Sequence, residues 1–243
     1  MTVSRDGATV AAWKRLAAAL LVLGAALALA LPALAPAGAG GGGARTTVVL
    51  GRTPSTPDAS CPESPCRAVG SVTGFQVRNE EGGLPFRVPR DGRIVAWSIT
   101  LSEPTSRQRA FFNGFFGRPP EAHIAILRRV PDTQPPVFRL LRQSGLRILS
   151  RYLGQTVRFR LGKPLGVREG DVVALSIPTW APGFAFSLPA ENVWRASRAR
   201  GECLNPTDLR QGRPQQVVGS RRAYGCKYEM ARLLYTATLV SGR

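Results

Sequence analysis

Pro85-Phe86-Arg87-Val88-Pro89-Arg90-Asp91-Gly92-Arg93-Ile94-Val95-Ala96-Trp97-Ser98-Ile99-Thr100-Leu101 is the stretch on which the fold turns. Its Asp91-Gly92 pair sits between two short apolar alternations, the sequence signature of a β-hairpin. Past the turn, Val95, Trp97, Ile99 and Leu101 share one face of a period-two strand, and Ile94, Ala96, Ser98 and Thr100 share the other, as in a half-buried strand. A second unit, Val167-Arg168-Glu169-Gly170-Asp171-Val172-Val173-Ala174-Leu175-Ser176-Ile177, repeats the design, with Val173, Leu175 and Ile177 directed inward. Two such units predict an all-β chain, an antiparallel β-sandwich with Trp97 in its core.

Upstream of this domain the chain reads as an export signal. Lys14 and Arg15 precede an apolar run from Leu16 to Leu31, which Pro32 and a small-residue exit then close. Cleavage is expected after Ala37 or Ala39, so residues 1–37 are assigned to the signal peptide. The alternative is a retained anchor, because Leu16 to Ala35 is about as long as the roughly 20 apolar residues that span a bilayer. Residues 38–60 begin with a run of Gly and Ala and continue rich in Pro and polar residues, the composition of a flexible spacer, although Thr46 to Leu50 could add a first strand. Residues 61–243 then form one domain, a length sufficient for a single sandwich core.

The formal charge is +18. Removing Arg5, Asp6, Lys14 and Arg15, which sum to +2, leaves about +16 on the exported chain. Lys14, Lys163 and Lys227 are the only lysines, so the excess is arginine. Such a surface attracts polyanions: wall polymers, anionic headgroups or, least in keeping with export, nucleic acid. Cys61, Cys66, Cys203 and Cys226 make an even set, which in an exported chain points to disulfides rather than to thiols or zinc. Of the three possible pairings, Cys61 with Cys66 and Cys203 with Cys226 is preferred, the first closing a small proline-stiffened loop.

Most of the remaining chain alternates as short strands. In Gln155 to Leu161, Val157, Phe159 and Leu161 alternate with Arg158 and Arg160, so the outward face is basic. No long helix is expected beyond the signal. Phe111-Phe112-Asn113-Gly114-Phe115-Phe116 places four rings in six residues, either closing one end of the core or offering an aromatic patch to a partner.

Catalytic chemistry is missing from this pattern. His123 is the only histidine and lies within an apolar strand, with no Gly-x-Ser-x-Gly elbow and no orienting acid assignable to it. Asp91, Glu169 and Asp171 fall in turns, where such acids accept local backbone hydrogen bonds. One histidine and no Asp-x-Asp-x-Asp run give no metal site, and no cofactor is implied. The candidate ligand-binding residues are Trp180, Trp194, Arg195, Arg198 and Tyr224, with Tyr228, Arg221 and Arg222 close by in sequence. Rings beside hydrogen-bonding cations are a common way to hold sugars. Packing against the core is the competing role for both tryptophans.

The segments Val88 to Trp97 and Leu165 to Leu175 resemble those of exported jelly-roll proteins of GC-rich bacteria without assigned activity, which are similar in architecture to carbohydrate-binding modules. The resemblance covers roughly Phe75 to Ile177 and implies fold more than function. The expectation is a non-enzymatic protein, secreted or at the cell surface, that binds anionic or glycan polymers of the envelope. The alternative is an assembly protein whose polypeptide partner meets Phe111 to Phe116. Membrane contact is expected only during export, unless the signal is retained.

Overall fold

A computed structural model describes residues 45–203 and 215–242. The expected signal peptide and the first part of the spacer lie outside the described residues. In chain order the elements are β1 (Thr46–Leu50), β2 (Val69–Asn79), β3 (Gly82–Gly83), β4 (Gly92–Thr100), α1 (Ser106–Phe116), β5 (Glu121–Arg129), β6 (Val137–Gln143), β7 (Arg147–Ile148), β8 (Thr156–Val167), β9 (Val172–Ala181), β10 (Phe184–Phe186), β11 (Val193–Ala196), β12 (Arg221–Ala223), β13 (Cys226–Glu229), β14 (Ala231–Leu233) and β15 (Tyr235–Ser241).

The fold is an all-β antiparallel sandwich. One sheet has four strands in the order β1-β15-β4-β8. The other runs β12-β6-β5-β9-β2-β11-β13, with β3 and β7 paired to its side, and β10 with β14 forms a separate two-stranded piece. The long sheet curls. Its end strands β12 and β13 are separated in sequence only by Tyr224 and Gly225, so its two edges are brought towards each other. Within the curl Phe75, Phe138 and Tyr224 make a ring cluster with centroids 5.0 to 5.4 Å apart. The main core lies between the sheets. Trp97 is fully buried there with its ring 4.7 Å from that of Phe159, and Tyr235 reaches from β15 to donate its hydroxyl to the Val173 carbonyl at 2.9 Å.

The two predicted hairpins are instead a pair of corners between the sheets. Phe86 and Val88 bond to the start of β9, through Val173 N to Phe86 O at 3.0 Å and Val88 N to Asp171 O at 2.8 Å, whereas β4 pairs with β8 and β15 in the other sheet. The chain therefore crosses sheets at Pro89 to Asp91, and crosses back at Arg168 to Asp171. Each corner holds the other: Glu169 N donates to Asp91 Oδ1 at 2.8 Å, and Gly92 faces Val167 in register. Gly170, at φ +82°, takes the left-handed turn that a side chain would resist. Asp171 does more than the turn role expected of it. It is 1 % exposed and accepts from Arg168 N at 2.9 Å, from Arg128 Nε at 2.7 Å and from Arg128 Nη2 at 3.0 Å.

Trp97, Ile99 and Leu101 face the core as expected, but Val95 does not. Against β15, Thr238 pairs with Ala96 and Leu239 with Ile94, so Val95 is an extra residue in the ladder. One inserted residue reverses the alternation, and Ile94 takes the buried place while Val95 is half-buried.

Both preferred disulfides, Cys61–Cys66 and Cys203–Cys226, are formed. They are consistent with an extracellular or otherwise oxidising environment. Among the described residues no helix is long and apolar enough to cross a membrane.

The segment read without helix contains α1. Thr105 Oγ1 accepts from Gln108 N at 3.3 Å, and Gln108 Oε1 accepts from Thr105 N at 2.7 Å, a reciprocal cap that the Thr-x-x-Gln spacing encodes. The four rings divide between the two roles weighed for them. Phe112 is buried against Trp180, centroids 5.1 Å apart, whereas Phe111 is 62 % exposed and Phe115 and Phe116 are half-buried.

Candidate functional site

Strand alternation builds a polar cleft on the solvent face of the four-stranded sheet. Because β4 turns Trp97 and Ile99 inward, Ser98 and Thr100 point outward; their register partners on the same face are Thr236 on β15, and Thr156 and Arg158 on β8. The hydroxyls of Thr100 and Thr156 lie 2.9 Å apart, and Arg158 Nη2 donates to Thr238 Oγ1 at 3.3 Å. The chain leaving β1 adds Gly51, Arg52, Thr53 and Thr56, and β14 adds Arg232. The cleft has a volume of about 540 Å³, and among the described residues no Asp or Glu lines it.

Arg232 sets its electrostatics. It is 7 % exposed, and Nη2 donates to Gly51 O at 3.3 Å and to Thr53 Oγ1 at 2.6 Å. Both acceptors are neutral, and no carboxylate among the described residues lies within ion-pair distance of it. Burial lowers its pKa, opposed by the more remote charges of Glu80 and Glu81. Arg158 and Arg52 are exposed on the same cleft. Three guanidinium groups set among rows of hydroxyls can bind anionic groups and hydrogen-bond to neighbouring polyol oxygens.

A second cleft, of about 420 Å³, opens where α1 meets the two disulfides. Phe111, Phe112, Phe115 and Phe116 supply one wall and Phe184, Trp194 and Tyr228 the other. Trp194 stacks on Tyr228 at 4.4 Å, and Arg198 donates from Nη1 to the Tyr228 hydroxyl at 3.0 Å and from Nη2 to Gly70 O at 2.9 Å. This wall is an apolar surface whose cation ties the backbone together.

The five ligand-binding residues expected from the sequence are dispersed. Trp194 and Arg198 line the aromatic cleft but are 3 % and 7 % exposed. Trp180 is buried beneath α1, with Nε1 donating to Asn113 Oδ1 at 3.0 Å. Tyr224 is fully buried inside the curl, its hydroxyl donating to Gln216 Oε1 at 2.9 Å, and burial pushes its pKa well above the ordinary range. Arg195 donates to the Tyr224 carbonyl at 2.8 Å, and burial lowers its pKa, with Arg200 and Arg129 adding to the effect. The ring faces of Trp180, Trp194 and Tyr224 are thus occupied by packing, which removes the sugar-stacking geometry envisaged for them.

Of the polar cleft, the basic outward face of β8 was legible in the Arg158 and Arg160 alternation. Arg52, Arg232 and the threonine rows carried no local signal, because their convergence depends on which strands become neighbours.

His123 is 7 % exposed in β5, and its desolvation lowers its pKa, opposed by a hydrogen bond to the Ser144 backbone. Among the described residues no three His, Cys, Asp or Glu side chains converge as metal ligands would. Comparison with protein-family models, curated proteins and solved structures finds no match.

Proposed function

We propose that this chain is a non-enzymatic, secreted or cell-surface protein that binds anionic or glycan polymers of the cell envelope through the polar cleft of its four-stranded sheet. The observation that carries the reading is the cleft lining: Arg52, Arg158 and Arg232 without a carboxylate, among the hydroxyls of Ser98, Thr100, Thr156, Thr236 and Thr238. The two disulfides and the export-like N-terminal sequence support its placement outside the cytoplasm. An open cleft on a sheet face suits a chain-like ligand that passes through it.

The test is retention of the purified protein on wall polysaccharide, teichoic-type polymer and anionic vesicles across a salt series. Retention on a polymer should fall steeply with salt, because the screening length shrinks from about 10 Å at 0.1 M to about 3 Å at 1 M. Failure to bind any polymer at low salt would end this reading.

One observation favours a second reading, an assembly protein with a polypeptide partner: Phe111 is 62 % exposed beside the half-buried Phe115 at the mouth of the aromatic cleft. Its signature would be a discrete protein partner, with no polymer retention, lost on Phe111→Ser.

A further inference from the structure

We infer that the polar cleft is selective for acidic polymers, taking an oxyanion of the ligand, a phosphate or a carboxylate, between Arg232 and Arg158. This inference rests on the polymer-binding reading above and narrows it to one class of ligand.

The argument starts from the state of Arg232. A guanidinium that is 7 % exposed has lost most of its water, and that loss is offset only when charged or hydrogen-bonding partners replace it. At the corner of the same fold, Arg128 meets the Asp171 carboxylate in a two-bond fork. Among the described residues Arg232 has no such partner, and Glu80 and Glu81 act on it only from beyond ion-pair distance. Both of its hydrogen bonds leave from Nη2 and end on neutral oxygens of Gly51 and Thr53, so Nε and Nη1 remain for a ligand. Those two bonds also fix the side chain, so Nε and Nη1 are set as single donors before any ligand arrives, which reduces the ordering cost of binding.

Arg158 is prepared in the same way, because Thr238 Oγ1 accepts from its Nη2 and holds it over the sheet. Arg52, exposed at the rim beside Gly51, extends the positive field outward. A planar carboxylate or a tetrahedral phosphate satisfies paired guanidinium donors in a way that a neutral sugar hydroxyl does not. The threonine and serine hydroxyls would then receive the uncharged oxygens on either side of the acidic group. Among the described residues no aromatic face is open at the cleft for a neutral sugar to stack on: Tyr235 reaches its lining, but its hydroxyl is bonded across the core and its ring stacks on Phe86 at 4.0 Å.

The experiment measures affinity of the purified protein for three oligomers of equal length: a glycerol-phosphate oligomer, an oligouronate and a neutral glucan. It uses wild type, Arg232→Gln, Arg158→Gln and Arg107→Gln. Arg107 is exposed on α1, outside the cleft, so its variant lowers the net charge equally and serves as the control. Arg158 is exposed, so its variant keeps the test valid even if Arg232→Gln disturbs folding. At least one acidic oligomer should bind with the neutral glucan silent, and the arm that binds more tightly names the acid group as phosphate or carboxylate. Arg158→Gln and Arg232→Gln should each weaken that binding about tenfold, as expected for loss of one charge-assisted contact, while Arg107→Gln changes it less than twofold. Equal weakening by Arg107→Gln would show that diffuse charge is responsible and overturn the inference. Tight binding of the neutral glucan, unaffected by Arg158→Gln, would overturn the inference and leave the glycan-binding reading standing. No binding of any oligomer would overturn both.

Discussion

Two buried charges in this molecule are treated in opposite ways. At the corner between β8 and β9, Asp171 is 1 % exposed and receives three hydrogen bonds, two of them from the Arg128 guanidinium. In the polar cleft, Arg232 is 7 % exposed and meets only neutral oxygens. The first charge is neutralised inside the fold and fastens the crossing between sheets. The second is held by neutral oxygens, with Glu80 and Glu81 acting on it only from beyond ion-pair distance, and it opens on a cleft with two further arginines and, among the described residues, no acid. The Asp171 charge, completed by the protein, acts in structure; the Arg232 charge faces the cleft without a carboxylate in ion-pair contact among the described residues, which is the basis of the ligand reading proposed for it.

The two faces of β4 give the largest expected contrast. Trp97→Ala should cost about 3 to 5 kcal/mol by removing a fully buried ring, measured by denaturant unfolding. Ser98→Ala, one residue along and on the cleft face, should stay within about 0.5 kcal/mol. A Trp97→Ala protein as stable as wild type would contradict the burial on which the orientation of the cleft depends. Asp171→Ala comes next, with a loss of roughly 2 kcal/mol, because the Arg168 amide loses its acceptor and the half-exposed Arg128 loses its fork. Arg232→Met should change unfolding free energy by no more than about 1 kcal/mol, since removing a desolvated cation without an ion-pair partner offsets the loss of its two neutral hydrogen bonds. A collapse in stability as large as that of Asp171→Ala would make Arg232 a structural charge and erase the contrast.

The smallest effect is in pH. His123 has a folded pKa below its ordinary 6.5, because burial disfavours the imidazolium. Its depressed value means that the contribution is present above pH 6.5 and is lost as pH falls towards the folded pKa, where the unfolded chain binds the proton first. The denaturation midpoint should therefore drop between pH 7 and pH 5, and His123→Gln should reduce that drop. An identical pH dependence in the variant would assign the effect to the carboxylates.

Much of the fold was legible because it is local. Alternation located the strands around Trp97 and Val173, and loop spacing favoured the observed cysteine pairing. What the sequence did not disclose is non-local. An acid-glycine turn is the same chemistry in a hairpin as in a corner, and only the pairing of Val88 with the β9 start, rather than with β4, distinguishes them. The capping spacing of Thr105 and Gln108 marks the helix start, but Asn113 and Gly114 between the four rings are weak helix formers and mask its continuation. The candidate site was least visible. Trp180, Trp194 and Tyr224 looked suited to ligands because they are aromatic, and they are buried for the same reason. Arg232 sits two residues before Leu234 in an apolar stretch, where nothing nearby signals that its guanidinium reaches a cleft shared with β1, β4, β8 and β15.

Hydrogen exchange followed by mass spectrometry, with and without the acidic oligomer that binds, tests the central claim most directly by locating the ligand. Protection should rise in residues 47–56, 156–158 and 232–238, with α1 unchanged. Protection confined to residues 106–116 and 66–70 would place the ligand in the aromatic cleft and contradict the account.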